Sequence, residues 1–348
     1  MRVRVLVLPA FALSLILLAA SAASAAVSDP EVRPGPGVTS IRSLSCYLPG
    51  LTNTPGDTPV YVLEGKESGG TVFVAGGTHA NEIAGVMAAT VLVEHARMLQ
   101  GRLIVIAHAN NSASTYPDPT RKVPSSYTVT TGSGDRQFRY GARLTNPAHQ
   151  GAKDPAKFRN PKSTESLAGY EARNLDRAYP GNATGNLTER VAWAILHLLQ
   201  QEAVDVAFDF HESPPDSRLA RMIVAHPKSV DIAALAVLDL DAGGVGMRLE
   251  RSSETFRGLS HREWGDAAAT HAFLFETPHP GMVKNTAGVD MVNDAKYPLV
   301  QRVGFQLSSF LAVLQEYNPT AAAARSVKVQ DVPGLPELTK AGLGSFLR

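Results

Sequence analysis

A histidine and a glutamate three residues apart follow an apolar run near the start of the chain. Residues 72–85 read VFVAGGTHANEIAG, and two glycines separate the apolar residues from His79 and Glu82. Imidazole nitrogen and carboxylate oxygen are both ligands of Zn²⁺, and at a strand-to-helix junction two such side chains converge on one point. The pair also fits a solvated helix start, with Glu82 near the positive end of the helix dipole.

A second candidate ligand ends the stretch VDVAFDFH. Alternate residues of a strand share a face, so Asp209 and His211 lie together, opposite an apolar face. Asp209 would then orient the imidazole of His211 from behind as a metal ligand. The same pattern also fits an Asp/His pair in the core whose side chains form a hydrogen bond with each other and bind no metal. Glu212 follows at once but points to the opposite face, which makes it a weaker candidate ligand.

Glu276 ends the apolar run HAFLFET, where a buried carboxylate is costly unless it is paired or bound. In open α/β sheets, sites gather at the carboxyl ends of strands, and His79, His211 and Glu276 each follow a separate predicted strand. Zinc held by His79, Glu82 and His211 would keep one position open for water, as catalytic sites do. We assign to Glu276 the role of the general base that takes the proton of this water.

The stretch ARNLDRAYPG supplies positive charge through Arg173 and Arg177. A guanidinium grips a carboxylate through two hydrogen bonds, or it stabilises the oxyanion of a transition state. Arg143 is a third candidate for this role. The alternative is a pair of solvated arginines that form ion pairs with Glu171 and Asp176.

The chain around these residues alternates strand and helix. Apolar runs predict strands at PVYVLEG, GTVFVAGG, GRLIVIAHAN, VDVAFDFH, ARMIVAHP and HAFLFET. Helical spacing predicts helices at NEIAGVMAATVLVEHARMLQ, at NLTERVAWAILHLLQQEA and at YPLVQRVGFQLSSFLAVLQEY. The second helix has Asn186 as its expected N-cap, with Glu189 three residues later. This alternation is typical of an α/β sheet with helices on its faces.

The sequence predicts the following organisation. Residues 1–26 have arginines, an apolar middle and small residues at the end, which predicts a secretory signal peptide and hence a secreted or periplasmic protein. Residues 27–57 are predicted to be an extended lead-in, 58–318 the main domain and 319–348 a tail. Segment 112–172 within the domain is rich in Pro, Gly and charge, and a loop of this length is usually functional or mobile.

Composition excludes several classes of partner. Without Arg2 and Arg4 of the predicted signal peptide, the 33 basic residues of the 348-residue chain become 31, against 32 acidic ones. A net charge near zero gives no reason to expect nucleic acid or an anionic membrane as partner. Cys46 is the only cysteine, which forbids an internal disulfide. No other run reaches the length of a transmembrane helix, so we expect no membrane insertion after removal of the signal peptide.

The stretches GGTHANEIAG, RNLDRAYPG, DFHES and LFET, in this order, resemble those of the succinylglutamate desuccinylase/aspartoacylase family, relatives of the zinc carboxypeptidases. The resemblance covers roughly residues 60–317. It implies a three-layer α/β/α sandwich around a mixed, mainly parallel sheet. It also implies one Zn²⁺ per chain, bound by His79, Glu82 and His211, with Glu276 as general base.

By the same resemblance, the arginine motif binds the carboxylate and the carbonyl oxygen of the substrate, and carboxypeptidase-type sites also use tyrosine phenols. The candidate residues are Arg177 and Arg173 for catalysis and Arg143, Asp176, Asn174 and Tyr140 for substrate contact. Asp176 stands where the family usually has asparagine, so we hypothesise that the leaving portion of the substrate carries an amine or a neutral group. Segment 112–172 is longer than in the small cytosolic members, and we expect a lid or a substrate wall there.

These observations favour an exported zinc hydrolase that cleaves an amide bond of an N-acyl amino acid or a related compound. A secreted carboxypeptidase or amidase that acts on peptides or peptidoglycan stems is the second hypothesis. A non-catalytic exported metal- or ligand-binding protein is the third. The expected partner is a small-molecule or peptide substrate, and the sequence does not determine the oligomeric state.

Several histidines stand outside the motifs. His108 ends a predicted strand near the site, where a neutral core histidine is the simpler interpretation. His149 and His261 are predicted to lie in polar loops.

Overall fold

The computed structural model describes residues 27–118, 123–283 and 288–348, so the predicted signal peptide, residues 1–26, lies outside the described residues. The strands are β1 (Val38–Ser43), β2 (Pro59–Glu64), β3 (Glu67–Ala75), β4 (Arg97–Ile106), β5 (Ser126–Thr131), β6 (Gly134–Arg139), β7 (Lys157–Phe158), β8 (Leu167–Ala168), β9 (Val206–Ser213), β10 (Met222–Ala225), β11 (Arg248–Arg251), β12 (His271–Pro278) and β13 (Lys328–Gln330). The α-helices are α1 (Ile83–His95), α2 (Leu187–Gln201), α3 (Val230–Ala242), α4 (Ser260–Ala267), α5 (Leu299–Tyr317) and α6 (Leu335–Ala341).

A mixed sheet of nine strands forms the centre of the fold. Its order is β1-β2-β4-β3-β9-β12-β10-β11, and β13 pairs with the first residues of β4. The four central strands β4, β3, β9 and β12 are parallel, whereas β2 and β10 run antiparallel to them on either side. The carboxyl ends of the central strands therefore meet at one edge of the sheet, where the candidate ligands were expected.

Helices cover both faces of this sheet, which gives three layers. Phe208 and Phe210 of β9 pack on one face in an apolar cluster with residues of α1, α3 and α5. Phe73 of β3 and Ala207 of β9 point to the other face, towards α2 and Trp264 of α4. Alternation along each buried strand thus supplies a core to both faces. The expected α/β/α sandwich is confirmed.

Two helix predictions had different outcomes. The predicted start of α2 is confirmed, because Asn186 and Glu189 form a reciprocal capping box. The prediction that the first helix continues to Gln100 was wrong, since α1 ends at His95 and β4 begins at Arg97. The first residues of β4 pair with β13, more than 200 residues away, so tertiary pairing overrides the local helical spacing here.

Both ends of the described chain contribute to the sheet or its cover. β1, from the segment predicted as an extended lead-in, pairs antiparallel with β2. In the tail, β13 pairs with β4 and α6 packs on α5, with Leu338 buried. Segment 112–172 holds the two hairpins β5–β6 and β7–β8. Among the described helices, none has the length and apolar character needed to cross a bilayer.

The carboxylate of Glu202 should make stability depend on acid pH. It accepts hydrogen bonds from Arg42 (2.6 Å), Arg102 (2.8 Å) and Tyr47 (2.9 Å). Burial alone would raise the pKa of Glu202, but the bonds from Tyr47 and Arg102 and the charge of Arg42 lower it. A lowered folded-state pKa adds stability above the unfolded-state pKa, and this stability is lost as the pH falls through the folded-state value.

We therefore expect Glu202→Gln to cost about 1–2 kcal/mol of unfolding free energy at pH 7. The deficit should shrink at pH 3, because this pH lies below the ordinary glutamate pKa, so the unfolded chain gains the proton and the pH approaches the lowered folded-state pKa. Urea unfolding at both pH values measures the difference, with Glu64→Gln, an exposed carboxylate at the end of β2, as matched control. A deficit equal at the two pH values would contradict the role of the charge.

Candidate active site

The turn between β3 and α1 places His79 and Glu82. Gly77 adopts φ 67°, a left-handed conformation that turns the chain sharply after β3. Gly85 brings α1 close to β9, since a Cβ at this position would lie 2.4 Å from the carbonyl oxygen of Phe210. The backbone N–H of Glu212 donates to Oε2 of Glu82 at 3.0 Å. These contacts hold the turn directly above the end of β9.

His79, Glu82 and His211 come together as a buried group. Oε1 of Glu82 lies 2.7 Å from Nδ1 of His79, and Oε2 of Glu82 lies 2.9 Å from Nδ1 of His211. The two imidazole rings are edge to face, with centroids 4.8 Å apart. One ligand atom from each residue lies within 4.8 Å of the other two. The three predicted metal ligands are thus close enough to share one ion.

The far side of each imidazole faces a buried side chain. Nε2 of His79 lies 2.9 Å from Oδ1 of Asn174, whose Nδ2 donates to Glu171. The amide oxygen therefore faces the ring, where it can accept a hydrogen bond from Nε2 of His79. Nε2 of His211 lies 2.9 Å from Oδ2 of Asp209, an ion-pair contact with a buried carboxylate. Both rings consequently turn Nδ1 towards the carboxylate of Glu82.

The pKa values of the two imidazoles move in opposite directions. Burial and the neighbouring charge of Arg143 lower the pKa of His79. The pKa of His211 is raised, because the carboxylates of Asp209 and Glu82 outweigh the effect of burial. The negative charge that surrounds His211 is the kind that a bound cation would also neutralise.

Glu276 lies beside this group. In the parallel pairing of β12 with β9, it is the direct neighbour of His211. Its Oε2 is buried and has no hydrogen-bond partner among the described residues. Burial, and then the charge of Glu82, raise the pKa of Glu276 to about 8. A cation bound next to it would oppose this shift.

A cavity of about 370 Å³ opens onto Glu276 and the three candidate ligands. Of the predicted arginines, the structure brings Arg143 and Arg177 to its wall. Arg143 donates to Oε1 of Glu82 at 3.1 Å, and Arg177 donates to the carbonyl oxygen of Asp176 at 2.6 Å. Arg173 is held elsewhere, by Asp154 at 2.9 Å and by the carbonyl of Thr145.

Of the other residues predicted to contact substrate, Asp176 lines the cavity, whereas Asn174 and Tyr140 are buried. Asp176 lines the cavity, and its Oδ1 accepts a hydrogen bond from the backbone N–H of Ser260 at 2.8 Å. Burial opposes its ionisation, but positive charge from His211 and Arg177 lowers the pKa of Asp176. Asn174 is buried, and its side chain bonds to protein groups only. Tyr140 is also buried, with its ring against His279.

His261 and an apolar wall were missed by sequence reasoning. The prediction of a polar loop for His261 was wrong, since it is buried in the first turn of α4 and lines the cavity. Burial lowers its pKa to about 4, so the ring is neutral at pH 7. Leu219, Val224 and Leu274 form an apolar wall of the same cavity. Leu274 shares a strand face with Glu276, which was the one available signal.

No protein-family model and no curated protein matches the chain. Among solved structures, a succinylglutamate desuccinylase from Silicibacter sp. TM1040 is 17% identical, with a TM-score of 0.43 over 73% of this chain and 60% of that chain. The product-bound ectoine utilization protein EutE (DoeB) from Ruegeria pomeroyi is 17% identical, with a TM-score of 0.44 over 74% and 61%. Tripeptide-bound cell shape determinant Csd4 from Helicobacter pylori is 12% identical, with a TM-score of 0.48 over 79% and 57%.

Structures of the succinylglutamate desuccinylase/aspartoacylase family are thus among the solved structures that resemble this chain. The chain spans only 57–61% of the length of the three structures described. Similarities this distant establish no activity, which has to be argued from the site.

Proposed function

We propose that this chain is a zinc-dependent hydrolase that cleaves an amide bond of an N-acyl amino acid or a related compound. The observation that carries the proposal is the orientation of the two buried imidazoles. Each ring turns Nδ1 towards one oxygen of Glu82, at 2.7 Å for His79 and 2.9 Å for His211. Because Nε2 of His79 faces the amide oxygen of Asn174, Nδ1 can present its lone pair towards Glu82. Two acceptors in such contact fit a cation between them.

The donor set also fits zinc by its chemistry. Two imidazole nitrogens and one carboxylate oxygen are a common set of catalytic zinc ligands, and Asn174 and Asp209 behind the rings are the partners that such histidines need. Zinc held by three protein donors supplies Lewis acidity and lowers the pKa of a water molecule in its open position.

The residues around the cavity would carry out the proton and charge transfers. Glu276 has a free Oε2 in the cavity; it accepts the proton of the attacking water and returns it to the leaving nitrogen. The guanidinium of Arg177 or Arg143 donates to the carbonyl oxygen as negative charge develops there. One such donor contributes about 3 kcal/mol of transition-state stabilisation.

The cavity walls support a substrate that combines a carboxylate with an apolar group. Three arginines lie on the wall: Arg143 contacts Glu82 at 3.1 Å, Arg177 contacts Asp176 at 3.6 Å, and Arg218 is paired with Glu250 at 2.5 Å. The apolar wall of Leu219, Val224 and Leu274 would shield an apolar group of the substrate from water. An N-acyl amino acid with an apolar side chain or acyl chain matches both features.

A secreted carboxypeptidase or amidase is the second candidate, and the same cavity supports it. The C-terminal residue of a peptide also presents a carboxylate beside a side chain, which Arg177 and the apolar wall would bind. The leaving group is an amino acid in both cases, and the two candidates differ in the acyl part, which is a small acyl group in one and a peptide in the other.

Metal analysis combined with a hydrolysis panel tests the proposal. Purified protein should contain zinc at the candidate site, and chelation should abolish hydrolysis that added Zn²⁺ restores. The panel compares acyl-amino acids with peptides whose C-terminus is free or blocked. Hydrolysis that survives full removal of the metal would refute the zinc mechanism. A metal-loaded protein that cleaves nothing in the panel would favour the non-catalytic hypothesis.

Replacement of Asp176 tests the substrate hypothesis that its charge suggested. Because Asp176 is ionised and lines the cavity, it should repel an acidic substrate. Asp176→Asn is expected to raise kcat/KM for acidic acyl-amino acids relative to neutral ones by about tenfold or more, as expected for the loss of one like charge nearby. Asp154→Asn, which changes a carboxylate held by Arg173, is the matched control. If the ratio of the two substrate classes stays the same, Asp176 does not set this specificity.

A further inference from the structure

A second cluster of one histidine and two carboxylates lies against the N-terminal segment, which we define as residues 27–37. His108 follows β4, and Asp29 and Glu31 come from the segment. Nε2 of His108 lies 3.2 Å from Oε2 of Glu31 and 3.4 Å from Oδ2 of Asp29. One ligand atom from each of the three residues lies within 4.8 Å of the other two. None of these residues lines the cavity of the candidate active site.

Two of the atoms that face one another in this cluster are at ion-pair distance without a hydrogen bond of good geometry. His108 is only 2% exposed, and its Nε2 has no hydrogen-bond partner among the described residues. The same is true of Oε2 of Glu31, whose side chain is 10% exposed. Nδ1 of His108 lies 3.1 Å from the hydroxyl of Ser114, which fixes the ring with Nε2 towards the carboxylates. Buried polar atoms without a well-formed hydrogen bond are rare in folded proteins, and a bound ion is one explanation for them.

The spacing of the donor atoms fits a bound cation. Ligand atoms at bond lengths of about 2.0–2.1 Å around a tetrahedral ion are about 3.3 Å apart. The two distances from Nε2 of His108, 3.2 and 3.4 Å, agree with this separation. They are longer than a charge-assisted hydrogen bond of about 2.7–2.9 Å.

The charges of the surrounding side chains also favour a bound cation. Arg139 donates from Nε to Oε1 of Glu31 at 2.8 Å and from NH2 to both oxygens of Asp29, at 3.2 Å to Oδ1 and at 3.3 Å to Oδ2. Burial alone would raise the pKa of Glu31, but His108 and Arg139 lower it, so the carboxylate is ionised. One guanidinium against the two carboxylates leaves one negative charge on these three side chains.

We propose that Asp29, Glu31 and His108 bind a second divalent transition-metal ion, for which zinc is the best match. One imidazole with two carboxylates suits zinc and similar ions, whereas Ca²⁺ and Mg²⁺ prefer oxygen ligands only. The ion joins the N-terminal segment to the end of β4, so it cross-links residues that are 77 or more positions apart. Its role is structural, since no residue of the proposed catalytic machinery contacts it.

Metal stoichiometry tests this site independently of the active site. After loading with Zn²⁺ and dialysis, the wild type should hold two equivalents per chain by elemental analysis. His79→Ala/His211→Ala should keep one equivalent, and the further change His108→Gln should remove it. His197→Ala, a histidine of α2 outside both clusters, is the matched control and should keep two. If His108→Gln is poorly folded, Glu31→Gln in the same background serves instead.

Thermal unfolding of the His79→Ala/His211→Ala protein gives a second readout. Chelation should lower its Tm by several degrees, because an ion bound only to the folded state stabilises that state. His108→Gln or Glu31→Gln should abolish this shift. If the wild type holds one equivalent of zinc and loses it with His79 and His211, the cluster is only an ion pair. The same conclusion follows if Zn²⁺ does not change the Tm. The wild type could instead hold one equivalent of zinc that His79→Ala/His211→Ala keeps and His108→Gln removes. This result would support the second site and contradict the zinc proposed for the active site.

Discussion

Glu276→Gln is expected to keep zinc at the candidate site and to lose nearly all hydrolysis. Glutamine preserves the shape of the side chain, so the three ligands His79, Glu82 and His211 keep their environment. It cannot accept the proton of the attacking water, and loss of a general base typically costs 10²–10⁴-fold in rate. We expect kcat to fall by about 10³-fold or more with little change in KM. Steady-state kinetics together with elemental analysis of the same sample measure both effects.

The control for this variant is Glu165→Gln, which changes an exposed carboxylate of the same cavity. Its activity should stay within a few-fold of the wild type. Retained turnover in Glu276→Gln would remove Glu276 from the mechanism. Loss of zinc in the same variant would instead identify Glu276 as a ligand.

Arg302→Met is expected to give the largest loss of stability of any single change considered. Arg302 lies fully buried in α5, and its NH1 is 2.5 Å from Oε1 of Glu212. Its other nitrogens donate to the carbonyl oxygens of Tyr297, at 3.0 Å, and of Met291. Methionine keeps most of the volume but leaves the carboxylate of Glu212 buried without its counter-charge. Breaking a buried ion pair in this way costs about 3–5 kcal/mol, which urea unfolding measures directly.

Glu212→Gln separates the charge from the loss of packing. Oε2 of Glu212 also accepts a hydrogen bond from the backbone N–H of Ala84 at 2.8 Å, and glutamine retains an acceptor for it. In the Arg302→Met background, Glu212→Gln should therefore recover part of the lost stability. A double variant as unstable as the sum of the two single variants would show that the two side chains are not coupled.

The arginines illustrate what sequence reasoning leaves undecided in the site. Arg173 and Arg177 are equally basic and four residues apart, so both were candidates. The fold of segment 112–172 separates them, because Asp154 and Thr145 from that segment hold Arg173 away from the cavity. His261 was misplaced for a related reason. The short helix α4 reads as polar, and its burial depends on elements that pack on it from distant parts of the chain.

The sequence by itself determined six of the nine sheet strands (β2, β3, β4, β9, β10 and β12), the helices α1, α2 and α5 except for the end of α1, and the positions of His79, Glu82, His211 and Glu276 at or just after strand ends. It could do so because period-two and helical spacing are local properties of the chain. Only the tertiary structure decided the strand order, the pairing of β13 with β4 and the direction in which each imidazole turns its Nδ1. It alone brought His108 to Asp29 and Glu31. These features depend on contacts between residues far apart in sequence, and local patterns carry no information about which distant partner each residue meets.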